Sequence, residues 1–256
     1  TPPYHKTKAL FKGEMGIMLT IQPTEMLTGV RISGDYWDID ALLRSIYDVT
    51  GDENRYFDFQ GARNRILHLC LELRNAVKGE RNIEFITNGI HKGLEKDKAI
   101  LAPKKNVYYS VEILMPEIIF TATALNDFIR LHQEMIDPSL WNISVATIRQ
   151  FQGVVAETLE DLLEDEHYLV FLQILHSKQS LFFRYATQYV DILNLEYLKL
   201  SHEERKNKIA SYALRLLIED GEYSALKEQL MATASVTKHA IHELNLSMKY
   251  PETIDW

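Results

Sequence analysis

Asn106-Val107-Tyr108-Tyr109-Ser110-Val111-Glu112-Ile113-Leu114 is the stretch that decides the fold. It is rich in β-branched and aromatic side chains and holds neither Gly nor Pro, so it reads as a strand. Pro116-Glu117 follows almost at once and starts a helix. Pro needs no amide hydrogen in the first helical turn, and an acidic side chain suits the positive end of the helix dipole. Ile119, Ala122, Leu125, Phe128 and Ile129 then recur at helical spacing through about Met135. Every stretch that reads as strand lies before this junction. After Pro138 the chain reads as helix throughout.

Upstream, Met18-Leu19-Thr20-Ile21-Gln22 stops at Pro23, and Gly29-Val30-Arg31-Ile32-Ser33 follows closely enough to form a hairpin. A helix carries Ile39, Leu42, Leu43, Ile46 and Tyr47 and is capped at Gly51. A second runs from about Gln60 to Val77, with Ile66, Leu69, Cys70 and Leu73 on one face and Gly79 at its end. Ile83 to Thr87 reads as a strand with an Asn88-Gly89 turn after it, and Ala99-Ile100-Leu101 as a further short one. Downstream, helices are expected at about 144–164, 166–176, 178–198, 202–219, 222–232 and 236–245, with Ser201-x-x-Glu204 as a capping box.

Strands followed by helices give an α+β fold. The expectation is a small, mostly antiparallel N-terminal sheet with helices, followed by an all-helical C-terminal half. Residues 1–17 read as an N-terminal appendage, 18–137 as the sheet-containing region and 138–256 as a helical region packed on it.

Composition narrows the function classes. The chain has 256 residues, 46% of them hydrophobic, which is enough to build a packed core without disulfides or metals. Its single cysteine, Cys70, lies in an apolar run and reads as a small buried hydrophobe. One unpaired cysteine suits a reducing compartment, so the expected location is the cytoplasm. No run of about eighteen apolar residues is present to span a membrane. The net charge of −8 disfavours nucleic acid and anionic lipid as partners.

The candidate sites are few. No phosphate loop, nucleophile elbow or metal signature is legible, so neither a cofactor nor a catalytic constellation is expected. His239 and His242 stand three apart beside Glu243, and Glu164-x-x-His167 matches half of a di-iron motif without its second copy. Glu157, Glu160, Asp161, Glu164, Asp165 and Glu166 form an acidic run that reads as a solvated face or a docking surface for a basic partner. Tyr108, Ser110 and Glu112 alternate onto one strand face and are the pocket candidates. The segment 222–245 reads as a helix-turn-helix-like pair that would present Thr237, Lys238, His239 and His242 to DNA. Against that, residues 201–256 carry a net charge of −2.

Tyr108-Tyr109-Ser110-Val111-Glu112, Pro116-Glu117 and Leu125-Asn126-Asp127-Phe128 together resemble a family of uncharacterised bacterial proteins. That resemblance implies a bacterial, cytoplasmic setting and carries no function with it. The expected role is therefore a non-catalytic interaction or regulatory protein that binds a protein partner or itself. The alternatives are a DNA-binding regulator using the C-terminal pair, or an enzyme with a dispersed site on the sheet face.

Overall fold

The computed structural model describes residues 19–88, 103–175 and 180–256. The proposed appendage at 1–17, the strand at Ala99-Ile100-Leu101 and Gly89 of the turn lie outside them. Two short strands open the fold, β1 (Thr20–Pro23) and β2 (Gly29–Gly34), and pair antiparallel as a hairpin. Strand β3 (Asn82–Thr87) pairs with β4 (Lys105–Leu114), and β4 pairs in turn with β2. The result is a four-stranded antiparallel sheet in the order β1-β2-β4-β3, with the decisive strand inside it. Gly29 faces Leu114, where a Cβ would stand 1.9 Å from the Ile113 carbonyl oxygen, so no larger residue fits this hairpin.

The period of two sorts the sheet into two faces. Ile21, Val30, Ile32, Val111 and Ile113 point into the core. Gln22, Arg31, Asn82, Glu84 and Glu112 take the other face. There Arg31 Nε donates to Glu112 Oε1 at 3.0 Å and Asn82 Nδ2 donates to the same oxygen at 2.9 Å.

Helices cover the apolar face. Helix α1 (Tyr36–Thr50) begins at a capping box in which Asp35 accepts from the amides of Trp37 and Asp38. It ends at Gly51, whose φ of 64° suits a residue without a Cβ. Helix α2 (Gln60–Val77) follows the 3₁₀ turn Phe57–Phe59 and buries Ile66, Leu69, Cys70 and Leu73. Helix α3 (Met115–Met135) starts where β4 stops, with Pro116 in its first turn. Most of its length is buried, and it packs on the helices around it and on β2 and β4. Around it lie α4 (Ile143–Glu160), α5 (Asp165–Leu175), α6 (Gln188–Leu198), α7 (His202–Leu217) and α8 (Gly221–Thr237). One apolar cluster runs from Ile21 in the sheet to Leu230 in α8.

Two helix expectations are corrected. The stretch 178–198 is not one helix, because α6 begins at Gln188. Tertiary hydrogen bonds hold the residues before it out of helical form. Phe182 N donates to the buried carboxylate of Asp127 at 2.9 Å, and Arg184, at φ 46°, donates its amide to the Asp58 carbonyl at 2.7 Å. The pair at 222–232 and 236–245 is not formed either. Helix α8 continues through Ala232-Thr233-Ala234-Ser235 to Thr237. Alanine favours helix, no glycine breaks this stretch, and the hydroxyls of Thr233, Ser235 and Thr237 bond back to carbonyls of the preceding turn. After the left-handed cap at Lys238 only the 3₁₀ turn Ile241–Glu243 remains helical.

Candidate functional site

Arg65 lies at the meeting point of α2, α3, α6 and the C-terminal segment. Helical spacing puts it one position before the buried Ile66, and its side chain is 13% exposed. Its Nε donates to Glu117 Oε1 at 2.9 Å and Nη2 to Glu117 Oε2 at 2.6 Å. On the other side Nη2 and Nη1 reach the two oxygens of Asp191 at 2.9 and 3.1 Å, and Nη1 also donates to the Thr187 carbonyl. A guanidinium has five N–H donors, and all five are engaged. Burial alone would lower the guanidinium pKa, but Glu117 and Asp191 more than offset this and raise it, so the charge is permanent. Both carboxylates sit in the first turn of a helix, where the dipole favours them.

The C-terminal segment joins the same network. Tyr250 Oη donates to Asp191 Oδ1 at 2.8 Å, while Asn194 Nδ2 donates to Glu117 at 3.0 Å and to Tyr250 Oη at 3.1 Å. Burial, then the Asp191 charge, pushes the Tyr250 phenol up and keeps it protonated. Gln188 Nε2 donates to the carbonyls of Ile241 and Leu244, and Thr28 Oγ1 to that of Asp255. Held in this way, residues 238–256 roof a cavity of about 530 Å³. Its floor is Arg65, Glu117, Asp191 and Asn194, and Asn64, His68 and Glu72 of α2 also line it. Ile254, Trp256, His242 and Tyr250 come from the segment itself. A larger cleft of about 880 Å³ lies between α3, α4 and α5, but its wall runs to Leu175, where the described residues break off.

Of the strand residues singled out in the sequence, Glu112 lines the cavity beside Arg65. Tyr108 and Ser110 are each 1% exposed, and Ser110 Oγ approaches Glu84 at 3.4 Å. Thr237 closes α8 with its hydroxyl on the Thr233 carbonyl, Lys238 is the left-handed cap, and His239 lies in irregular chain. His242 is turned to the cavity. The two histidines therefore share no helix face. Among the described residues no group of three or more His, Cys, Asp and Glu is placed to hold a metal ion. His167 stands 3.8 Å from Glu164 as a surface pair. The acidic run is exposed and divided, with Glu157 and Glu160 at the end of α4 and Asp165 and Glu166 in the first turn of α5. Burial pushes the Cys70 thiol up to about 12, so it is inert as a nucleophile.

Sequence reasoning missed Arg65, Glu117 and Asp191. They are 52 and 126 positions apart, and no local spacing links them. The available signal was an arginine beside an apolar helical stripe.

A second feature is the connection between α3 and α4. Trp141 is 90%, Leu140 83% and Ile143 78% exposed, with Met135 and Ile136 also outside the core. The backbone beneath them is tied down. Asp137 Oδ1 accepts from Ser139 N at 2.9 Å and Oδ2 from Asn142 Nδ2 at 2.7 Å. Asn142 Oδ1 caps α4 through Val145 N at 3.0 Å. These bonds, that from Asn142 first, hold the Asp137 carboxyl below its usual range.

Fold and cavity define an α+β protein with a small antiparallel sheet, a helical layer and an open cavity lined in part by the C-terminal segment. The chain belongs to the family described as Domain of unknown function (DUF6904), whose model matches residues 19–256. No curated protein and no solved structure matches it. No described helix is long and apolar enough to cross a membrane.

Proposed function

We propose that the chain works by binding protein, in the first place a second copy of itself, rather than by catalysis. The observation that carries this reading is the rigid apolar loop at 135–143. Isolated exposed apolar residues are ordinary on a protein surface, but a contiguous set marks a contact site. Trp is among the commonest anchors of such contacts, and a loop already fixed by hydrogen bonds loses little freedom on binding. Two chains of charge −8 repel at long range, and an apolar contact adds no like-charge pair to that repulsion. This loop offers such a contact, since its one internal charge, Asp137, is already bonded within it. A patch of one character is also self-complementary about a two-fold axis.

The test uses Trp141 as its own reporter. In a Trp37→Phe, Trp256→Phe background Trp141 is the remaining tryptophan. Its emission is expected to move to the blue as protein concentration rises and the ring leaves water. Emission that stays at the wavelength of a water-exposed indole at every concentration would remove self-association through this loop.

A further inference from the structure

We infer that the cavity beside Arg65 binds a small organic cation, a primary ammonium carried on a short apolar chain. The inference stands apart from the loop and does not need it. The cavity, about 530 Å³, is within the size range of small-molecule sites. Its wall holds Glu72, Glu112, Glu117 and Asp191 against one fixed cation, Arg65. Glu72 is neutralised by Arg81 at 2.8 Å and Glu112 by Arg31 at 3.0 Å. Glu117 and Asp191 share Arg65 between them, so the floor keeps one surplus negative charge.

The hydrogen bonds point the same way. All five guanidinium donors are spent on Glu117, Asp191 and the Thr187 carbonyl, so Arg65 has none left for an entering anion. An ammonium needs acceptors. Glu117 Oε1 and Asp191 Oδ2 each accept from Arg65 alone, which leaves a lone pair on both oxygens. The rest of the lining suits the remainder of such a ligand. Ile113, Leu114 and Ile254 offer apolar wall, and the rings of Tyr250 and Trp256 can face a cation. These two aromatics and Ile254 belong to the C-terminal segment, so occupancy and docking of that segment are coupled.

Trp256 is the reporter. In a Trp37→Phe, Trp141→Phe background it is the remaining tryptophan, and it lines the cavity. The full chain is titrated with n-butylammonium chloride, sodium butyrate and n-butanol in turn. A saturable change of Trp256 emission with butylammonium, absent with butyrate and butanol, is the expected result. Asp191→Asn should weaken it about tenfold, equivalent to ~1.4 kcal/mol. Because that substitution also touches the Arg65 cluster, a second variant fills the rim instead. Asn64→Phe leaves every charge in place and should abolish the response while the unfolding midpoint stays put. No saturable response in the parent, an equal response to butyrate, or a response that survives Asn64→Phe would each overturn the inference.

Discussion

Arg65 is a single residue that links distant parts of the chain. It ties α2 to α3 through Glu117 and to α6 through Asp191, and Tyr250 brings the C-terminal segment onto the same carboxylate. Removing one partner of a buried ion pair leaves the others unpaired, which costs far more than the intact pair contributes. Arg65→Met should therefore destabilise by about 3–5 kcal/mol in urea unfolding. A loss below ~1 kcal/mol would show that the cluster is not the tie described. Asp127 is a second residue whose chemistry can be read directly. Burial raises its carboxyl from 3.8 to about 6, against the Phe182 amide and Arg130, which pull it down. The folded chain then holds this proton more tightly than the unfolded chain does. Its stabilising effect is complete below pH 3.8 and is lost as pH rises through about 6. The fall amounts to at most about 3 kcal/mol. Asp127→Asn should flatten stability across that window, as followed by urea midpoints at stepped pH. Parallel curves for the two proteins would contradict the assignment.

At the scale of elements, what the sequence could show depended on where each signal was stored. Gly51, Pro116 and the Ser201–Glu204 box act within a turn of chain, and the helices they bound are close to those expected. The alternation in β4 is likewise local. The break before α6 is not, since it depends on Asp127 and Asp58 reaching across 55 and 126 positions. The alanine-rich middle of α8 was expected to separate two helices, at 222–232 and 236–245. In the folded chain the hydroxyls of Thr233, Ser235 and Thr237 satisfy carbonyls of the same helix. The cavity was illegible for the reason α6 was, because its walls come from four separate parts of the chain. Asn142 caps α4 and braces the apolar loop through Asp137, so Asn142→Ala should cost about 1 kcal/mol and lower the thermal midpoint. An unchanged midpoint would mean that the loop is held by something else. Helix α8 buries Tyr223 and Leu230 and leaves Met231 and Val236 exposed. Hydrogen exchange should be faster for amides 231–237 than for the middle of α3, which is buried on every side.

The whole molecule combines a packed interior with an exposed apolar loop at 135–143. The sheet shows its polar face, with Arg31 and Asn82 both donating to Glu112. The acidic run is exposed around the end of α4. The loop at 135–143 presents Leu140, Trp141 and Ile143 on backbone braced by Asp137 and Asn142. The α+β layout was legible because strand signals stop at one point in the chain. The loop was not, since an apolar cluster between two helices reads the same whether it faces core or water. Native mass spectrometry of the intact chain beside its Leu140→Asp, Trp141→Asp variant tests the account most directly. The account predicts a mass of two or more chains for the parent and of one chain for the variant. One chain for both, or the same assembly for both, would contradict it.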